Sequence, residues 1–184
     1  MPVTIGARPQ HGFDEPLGLL SDCHRRIERF LEILLKIVEQ AKGGALNDEQ
    51  RRAAQGALEY FRTAAPRHTA DEEQSLFPLL RESTRQDVQS ALETVESLEH
   101  DHAAADQSHA EIDRIYVRWL DAGSLDAAQT AHLAQVLRDL REMYRKHIAV
   151  EDQQVFPLAG KVLNEQQLAK IGKEMADRRG LARS

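Results

Sequence analysis

One passage occurs twice in this chain. His68 opens "HTADEEQSLFPLL" and His147 opens "HIAVEDQQVFPLA", both fitting H-x-x-x-E-[D/E]-Q-x-[L/V]-F-P-L, with the second copy 79 positions after the first. A fold that accommodates the chain must therefore give both copies equivalent surroundings, which points to two similar halves. Apolar residues recur mostly three and four apart, and only 10 glycines and 6 prolines interrupt them. That is the pattern of long amphipathic helices, and no β-rich segment competes with it.

The first helix is expected from about Pro16 through "LGLLSDCHRRIERFLEILLKIVEQ" to the stop at "KGG". Asn47-Asp48 offers a cap for the second, which reaches about Arg81 with a kink or break before His68, because Pro66 lies inside it. A third runs from about Arg85 to Asp121 and a fourth from near Leu125 to about Gly160. A short fifth, "EQQLAKIGKEMADRR", follows a cap at Asn164. Four long helices with short links predict an all-α, antiparallel up-down-up-down four-helix bundle with a short C-terminal helix. Helices one and three would form one diagonal pair, two and four the other. In domain terms, residues 1–14 read as an N-terminal extension, 15–160 as the bundle, and 161–184 as the short helix and tail.

Positions i and i+4 of a helix lie about 40° apart, so His68 and Glu72 share a face, as do His147 and Glu151. Aimed into a bundle, these groups are costly to bury without partners, and a cation supplies the missing charge and coordination. Equivalent halves also require histidines on helices one and three near the same offset. His24 precedes His102 by 78 positions, whereas His100 fits less well at 76. The candidate set is thus His24, His68, Glu72, His102, His147 and Glu151. Four histidines and two glutamates exceed one zinc ion and offer too few carboxylates for calcium. They suit two adjacent iron ions, with manganese or zinc as alternatives that donor chemistry leaves open.

This arrangement resembles the hemerythrin-like HHE cation-binding domain family: His on helix one, H-x-x-x-E on helix two, His on helix three, H-x-x-x-E on helix four. The resemblance spans roughly residues 15 to 160. It implies a four-helix bundle around a non-haem di-iron centre, oxo- or hydroxo-bridged, held by those six residues. Two departures stand out. Oxygen-carrying hemerythrins have a second histidine four positions after the first on helix three, where this chain has Asp106. They also place a bridging aspartate five positions after the helix-four histidine; here that residue is Asp152, but the internal repeat favours Glu151, which aligns with Glu72. Asp152, like Glu73, is expected to cap a hydrogen bond or face solvent. Asp106 is placed toward the site, as a ligand, as a partner to one, or as a surface acid.

Other residues read as structural. Phe77-Pro78 and Phe156-Pro157 would close the core and bend or end the helices. Tyr144 would line an access route or be a buried tyrosine with a satisfied hydroxyl. His109 lies too far along its helix for the centre, His11 and His132 are expected to be exposed, and Cys23 to be a packed free thiol. Ferritin-like oxidases repeat Glu-x-x-His, whereas only Glu99 and His102 have that spacing. His100-Asp101 is similar to the HD phosphohydrolase pair but accounts for neither motif copy. No H-E-x-x-H or glycine-rich phosphate loop is present.

The formal charge of −6, with arginines dispersed among acids, argues against nucleic acid. No apolar run nears the roughly 18 residues of a membrane span. The first dozen residues lack signal-peptide character, and a single cysteine excludes an internal disulfide framework, so a cytoplasmic location is expected. The expected function is to bind or sense oxygen, nitric oxide or a related oxidant such as peroxide. The alternatives are a di-iron oxidoreductase acting on peroxide or nitric oxide, an iron donor for iron–sulfur cluster repair, and a metal-free helical scaffold. No protein partner is indicated.

Overall fold

The computed structural model describes residues 10–181; the remainder of the N-terminal extension and the last three residues of the tail lie outside that range. Helix α1 spans Pro16–Ala41 and starts with proline in its first turn, where the missing N–H costs nothing. Its buried stripe runs Leu20, His24, Ile27, Leu31, Leu34 and Val38, so one polar residue interrupts an otherwise apolar seam. α2, Asp48–Thr63, begins with a reciprocal capping box between Asn47 and Gln50. The expected break before His68 falls at Ala64, and α3 restarts at Ala65–Asp71 with Pro66 in its first turn. A π turn, Glu72–Leu76, then leads into α4, Phe77–Arg81.

The third long helix starts later than the sequence suggests. A single turn, α5 at Gln86–Gln89, precedes α6, Leu92–Ala122. Val88 anchors that turn in the core at 0% exposure. α6 ends at Gly123 in the left-handed region, φ 80°, a conformation that favours glycine. α7, Ala127–Val150, has its own capping box, Asp126 with Gln129. A second π turn, Glu151–Val155, joins it to α8, Phe156–Val162. α9, Glu165–Arg178, is capped by Asn164 and Gln167 as its sequence indicates. No strand occurs among the described residues.

α1 packs against α2 and α7, and α6 against α7 and α2. This is the expected up-down-up-down bundle, with α1 diagonal to α6. The two loops at one end interlock: Leu125 N–H donates to the Gly43 carbonyl at 2.8 Å. Gly43 has φ 80°, and a Cβ there would meet Thr130 Oγ1 at 2.3 Å, so glycine is required twice over. The core divides into two apolar clusters. One contains Ile27, Phe30, Phe61, Ile112, Tyr116 and Trp119 among others, and the second is built around Leu20, Leu76, Phe77, Leu98, Val155 and Phe156. A layer of buried histidines and carboxylates lies between them.

α9 closes the flank formed by α1, α3 and the first π turn. Asp71, fully buried, accepts from Arg178 Nη1 at 2.9 Å and from Arg179 Nη2 at 2.7 Å. Ser75 receives Arg178 Nη2 at 2.7 Å. At Gly172 an added Cβ would lie 1.8 Å from the Phe13 carbonyl oxygen, so the segment before α1 and α9 touch backbone to backbone. His11 is held here rather than exposed as its sequence context suggests: its Nδ1 lies 3.2 Å from Asp22 Oδ2, and its N–H donates to the same carboxylate at 2.8 Å. Asp22 is almost fully buried on α1, and its carboxylate is met by His11 on one oxygen and by the Arg25 guanidinium on the other.

Candidate metal centre

The six residues selected from sequence meet in the polar layer, one histidine from each long helix run and one glutamate from each π turn. His24, His68, His102 and His147 are at most 5% exposed, and Glu72 and Glu151 are fully buried. Their ligand-capable atoms form two groups, His24–His68–Glu72 and His102–His147–Glu151, each with those atoms within 4.8 Å of one another. The carboxylates span both groups. Glu72 Oε1 lies 3.3 Å from His68 Nε2, and its Oε2 lies 3.4 Å from His102 Nε2. Glu151 Oε2 lies 3.1 Å from His147 Nε2 and 3.0 Å from His24 Nε2. His102 and His147 bring their Nε2 atoms to 3.2 Å.

The π turns explain how one short motif does two jobs. Each begins at the inward glutamate and closes with an i→i+5 bond, Phe77 N–H to the Glu72 carbonyl and Phe156 N–H to the Glu151 carbonyl. The prolines that follow, Pro78 and Pro157, have no N–H for the carbonyl four residues back, and their rings crowd it, so the wider turn relieves a local conflict. The helix then continues instead of ending. The second acid of each motif is thereby carried sideways to the neighbouring helix of the other half. His102 Nδ1 donates to Glu73 at 2.8 Å, and His24 Nδ1 donates to Asp152 at 3.1 Å. Ser21 Oγ also donates to Asp152, at 2.7 Å. The two halves hold each other's histidines. Phe156 stacks on His24 with ring centroids 5.4 Å apart, so the Phe-Pro pair packs against the centre as well as the core.

A third carboxylate, Asp101, accepts from His147 Nδ1 at 3.3 Å. Its position one residue before His102 is the signal the sequence carries, but the matching position beside His24 is Cys23, so the repeat does not single it out. Asp106 does not take that role: it is exposed and lines a cavity of about 290 Å³ between α2 and α6, with Phe61, Arg62, Pro66 and His109. His109 stays outside the centre. Its ring stacks on Phe61 at 4.3 Å and its Nε2 is hydrogen-bonded to the Tyr144 hydroxyl at 3.0 Å. Tyr144 is thus the buried tyrosine with a satisfied hydroxyl, meeting His147 edge-on at 6.1 Å between ring centroids. His132 is exposed and pairs with Glu111. Cys23 is a buried free thiol whose sulfur receives Arg26 Nη2 at 3.0 Å.

The electrostatics of the layer favour positive charge. Burial works against ionising Glu72, but His68, His102 and His24 outweigh it and hold the carboxyl well below its ordinary value. Glu151 is likewise lowered: burial and Glu72 oppose its ionisation, and the contacts with His147 and His24 prevail. Burial would also lower His24 and His102, yet contact with Asp152, Glu151 and Glu72 raises the first, and contact with Glu72 and Glu73 raises the second to about 9. His68 behaves oppositely: burial dominates and lowers it to about 4, so it is a neutral donor at physiological pH. Although imidazole nitrogens lie close by, none of the four glutamate oxygens is aligned with a hydrogen-bond partner, nor is His24 Nε2. Buried acceptors of this kind are costly unless a cation engages them. With Nδ1 of His24, His102 and His147 donating outward, each Nε2 faces inward, where a cation displacing its proton would meet the lone pair that ligation requires. The residues fit a pair of cations.

Fold and site together define a helix bundle whose core is a His/Glu cation site. A family model for the hemerythrin HHE cation binding domain matches residues 15–159, and the chain belongs to that family. It is also similar to an uncharacterized protein of Haemophilus influenzae, 28% identical over 172 residues, or 91% of each chain. Among the described residues no helix is long and apolar enough to cross a membrane.

Proposed function

We propose that the chain is a non-haem di-iron protein that binds or senses oxygen, nitric oxide or a related oxidant. The observation that carries this reading is the layer itself. Two groups of two histidines and one glutamate stand side by side, with both carboxylates in reach of both groups and no aligned hydrogen-bond partner for their oxygens. His24, His68 and Glu72 would hold one iron, and His102, His147 and Glu151 the other, with the two glutamates shared. When bound, the iron pair supplies the redox and diatomic-binding chemistry that no side chain here provides. The protein's part is to orient and to shield. Glu73, Asp101 and Asp152 fix three imidazoles, and the apolar clusters on either side exclude water from the layer.

The sensing form of the reading follows from where α1 is attached. His24 ties it to Glu151 and Asp152 of the second π turn, while α9 packs along its flank. A change at the centre would then move α1 relative to both. A reducing cytoplasm suits a ferrous pair and a free thiol. The test is to load the metal-free protein anaerobically with ferrous iron, then admit oxygen or nitric oxide while following absorption and hydrogen exchange in α1. A spectral response with altered exchange is the expected outcome. Catalytic consumption of peroxide or nitric oxide would make it an enzyme, and identical exchange before and after would remove the sensing role.

A further inference from the structure

The two halves match at the centre except at one ring. In the second half, Asp101 immediately precedes His102, and its carboxylate takes the Nδ1 proton of His147 on the neighbouring helix. The corresponding step in the first half leads from His24 back to Cys23, with His68 as the ring to be held. There a thiol replaces the carboxylate. Cys23 is 3% exposed, its sulfur is engaged by Arg26, and His68 Nδ1 is buried with no hydrogen-bond partner. The other three rings are each held by a carboxylate: His24 by Asp152, His102 by Glu73 and His147 by Asp101. A held Nδ1–H fixes the ring and makes Nε2 a better donor, and loss of such a partner lowers metal affinity about 10- to 100-fold. A thiol is too poor an acceptor to replace it.

We infer that the two cation positions are unequal, the one formed by His24, His68 and Glu72 being the weaker and more readily exchanged, because Cys23 stands where the other half has Asp101. The inference rests on the two-metal reading of the centre. It makes the second group the first to fill when metal is scarce, and it gives Cys23 a definite effect on the centre without making it a ligand. The first position empties on dilution or chelation while the second remains filled.

The experiment is a titration of the metal-free full chain with cobalt(II), followed by visible absorption and by heat. The native chain is expected to take up two ions in two steps whose dissociation constants differ about 10- to 100-fold. Cys23→Asp should draw the weak step toward the strong one. Asp101→Cys, made at a side chain 38% exposed and so tolerated by the fold, should weaken the strong step and leave the weak one in place. Two equal steps in the native chain, or an unchanged strong step in Asp101→Cys, would overturn the inference while leaving the two-metal reading intact. If no cobalt binds at all, the two-metal reading fails, and the inference falls with it.

Discussion

At the level of single residues, the centre depends on acids that do not touch its interior. Glu73 and Asp152 each hold a histidine of the opposite half. Glu73→Gln and Asp152→Asn should each lower metal affinity by about one to two orders of magnitude, read by competition with a chelator, without unfolding the bundle. The six inward residues were legible in the sequence because the motif repeats with a fixed offset. The crossed acids were visible as residues but not as partners, since pairing between helices has no signature in one sequence. Asp101 was hidden for another reason: its counterpart in the repeat is Cys23, so comparing the halves gave it no support. His109 allows a separate test at this scale. Burial holds it at about 4, against an ordinary value near 6.5. Because the unfolded chain takes up that proton first, stability attributable to His109 is complete above about pH 6.5 and is lost as pH falls toward 4. His109→Leu should therefore remove part of the acid sensitivity, up to about 2 kcal/mol at pH 5, in urea midpoints measured at pH 7 and pH 5.

Among the elements, α9 is the one whose attachment is most exposed to a single change. Asp71 sits immediately before Glu72, fully buried, with Arg178 and Arg179 both on its carboxylate. Asp71→Ala would leave two guanidinium groups without that acceptor, and breaking a buried pair of this kind costs about 3–5 kcal/mol. A urea midpoint shift of that size, with the first π turn losing hydrogen-exchange protection before α7 does, is the expected result. Helix caps at Asn47 and Asn164 and the break at Pro66 could be read directly from the chain, because each is a local rule written in neighbouring residues. The π turns could not. A run of helix-forming residues looks the same whether a turn closes at i+4 or i+5, and only the paired prolines hinted at the conflict that widens it.

For the whole molecule, the polar layer is a structural debt that metal removes. It divides the apolar core into two clusters and leaves four buried carboxylate oxygens without an aligned partner. Binding only to the folded form should raise stability by about 2.7 kcal/mol when free metal is a hundredfold above its dissociation constant, seen as a higher unfolding midpoint in loaded than in metal-free protein. The bundle's topology was apparent from helix count and short links, and membership of the hemerythrin HHE family agrees with it. The most direct test of the account is the number of iron ions bound per chain at saturation in an anaerobic ferrous titration. The account predicts two in the native chain, with His147→Ala losing an iron and remaining folded. One iron or none in the native chain, or two bound in His147→Ala, would contradict it.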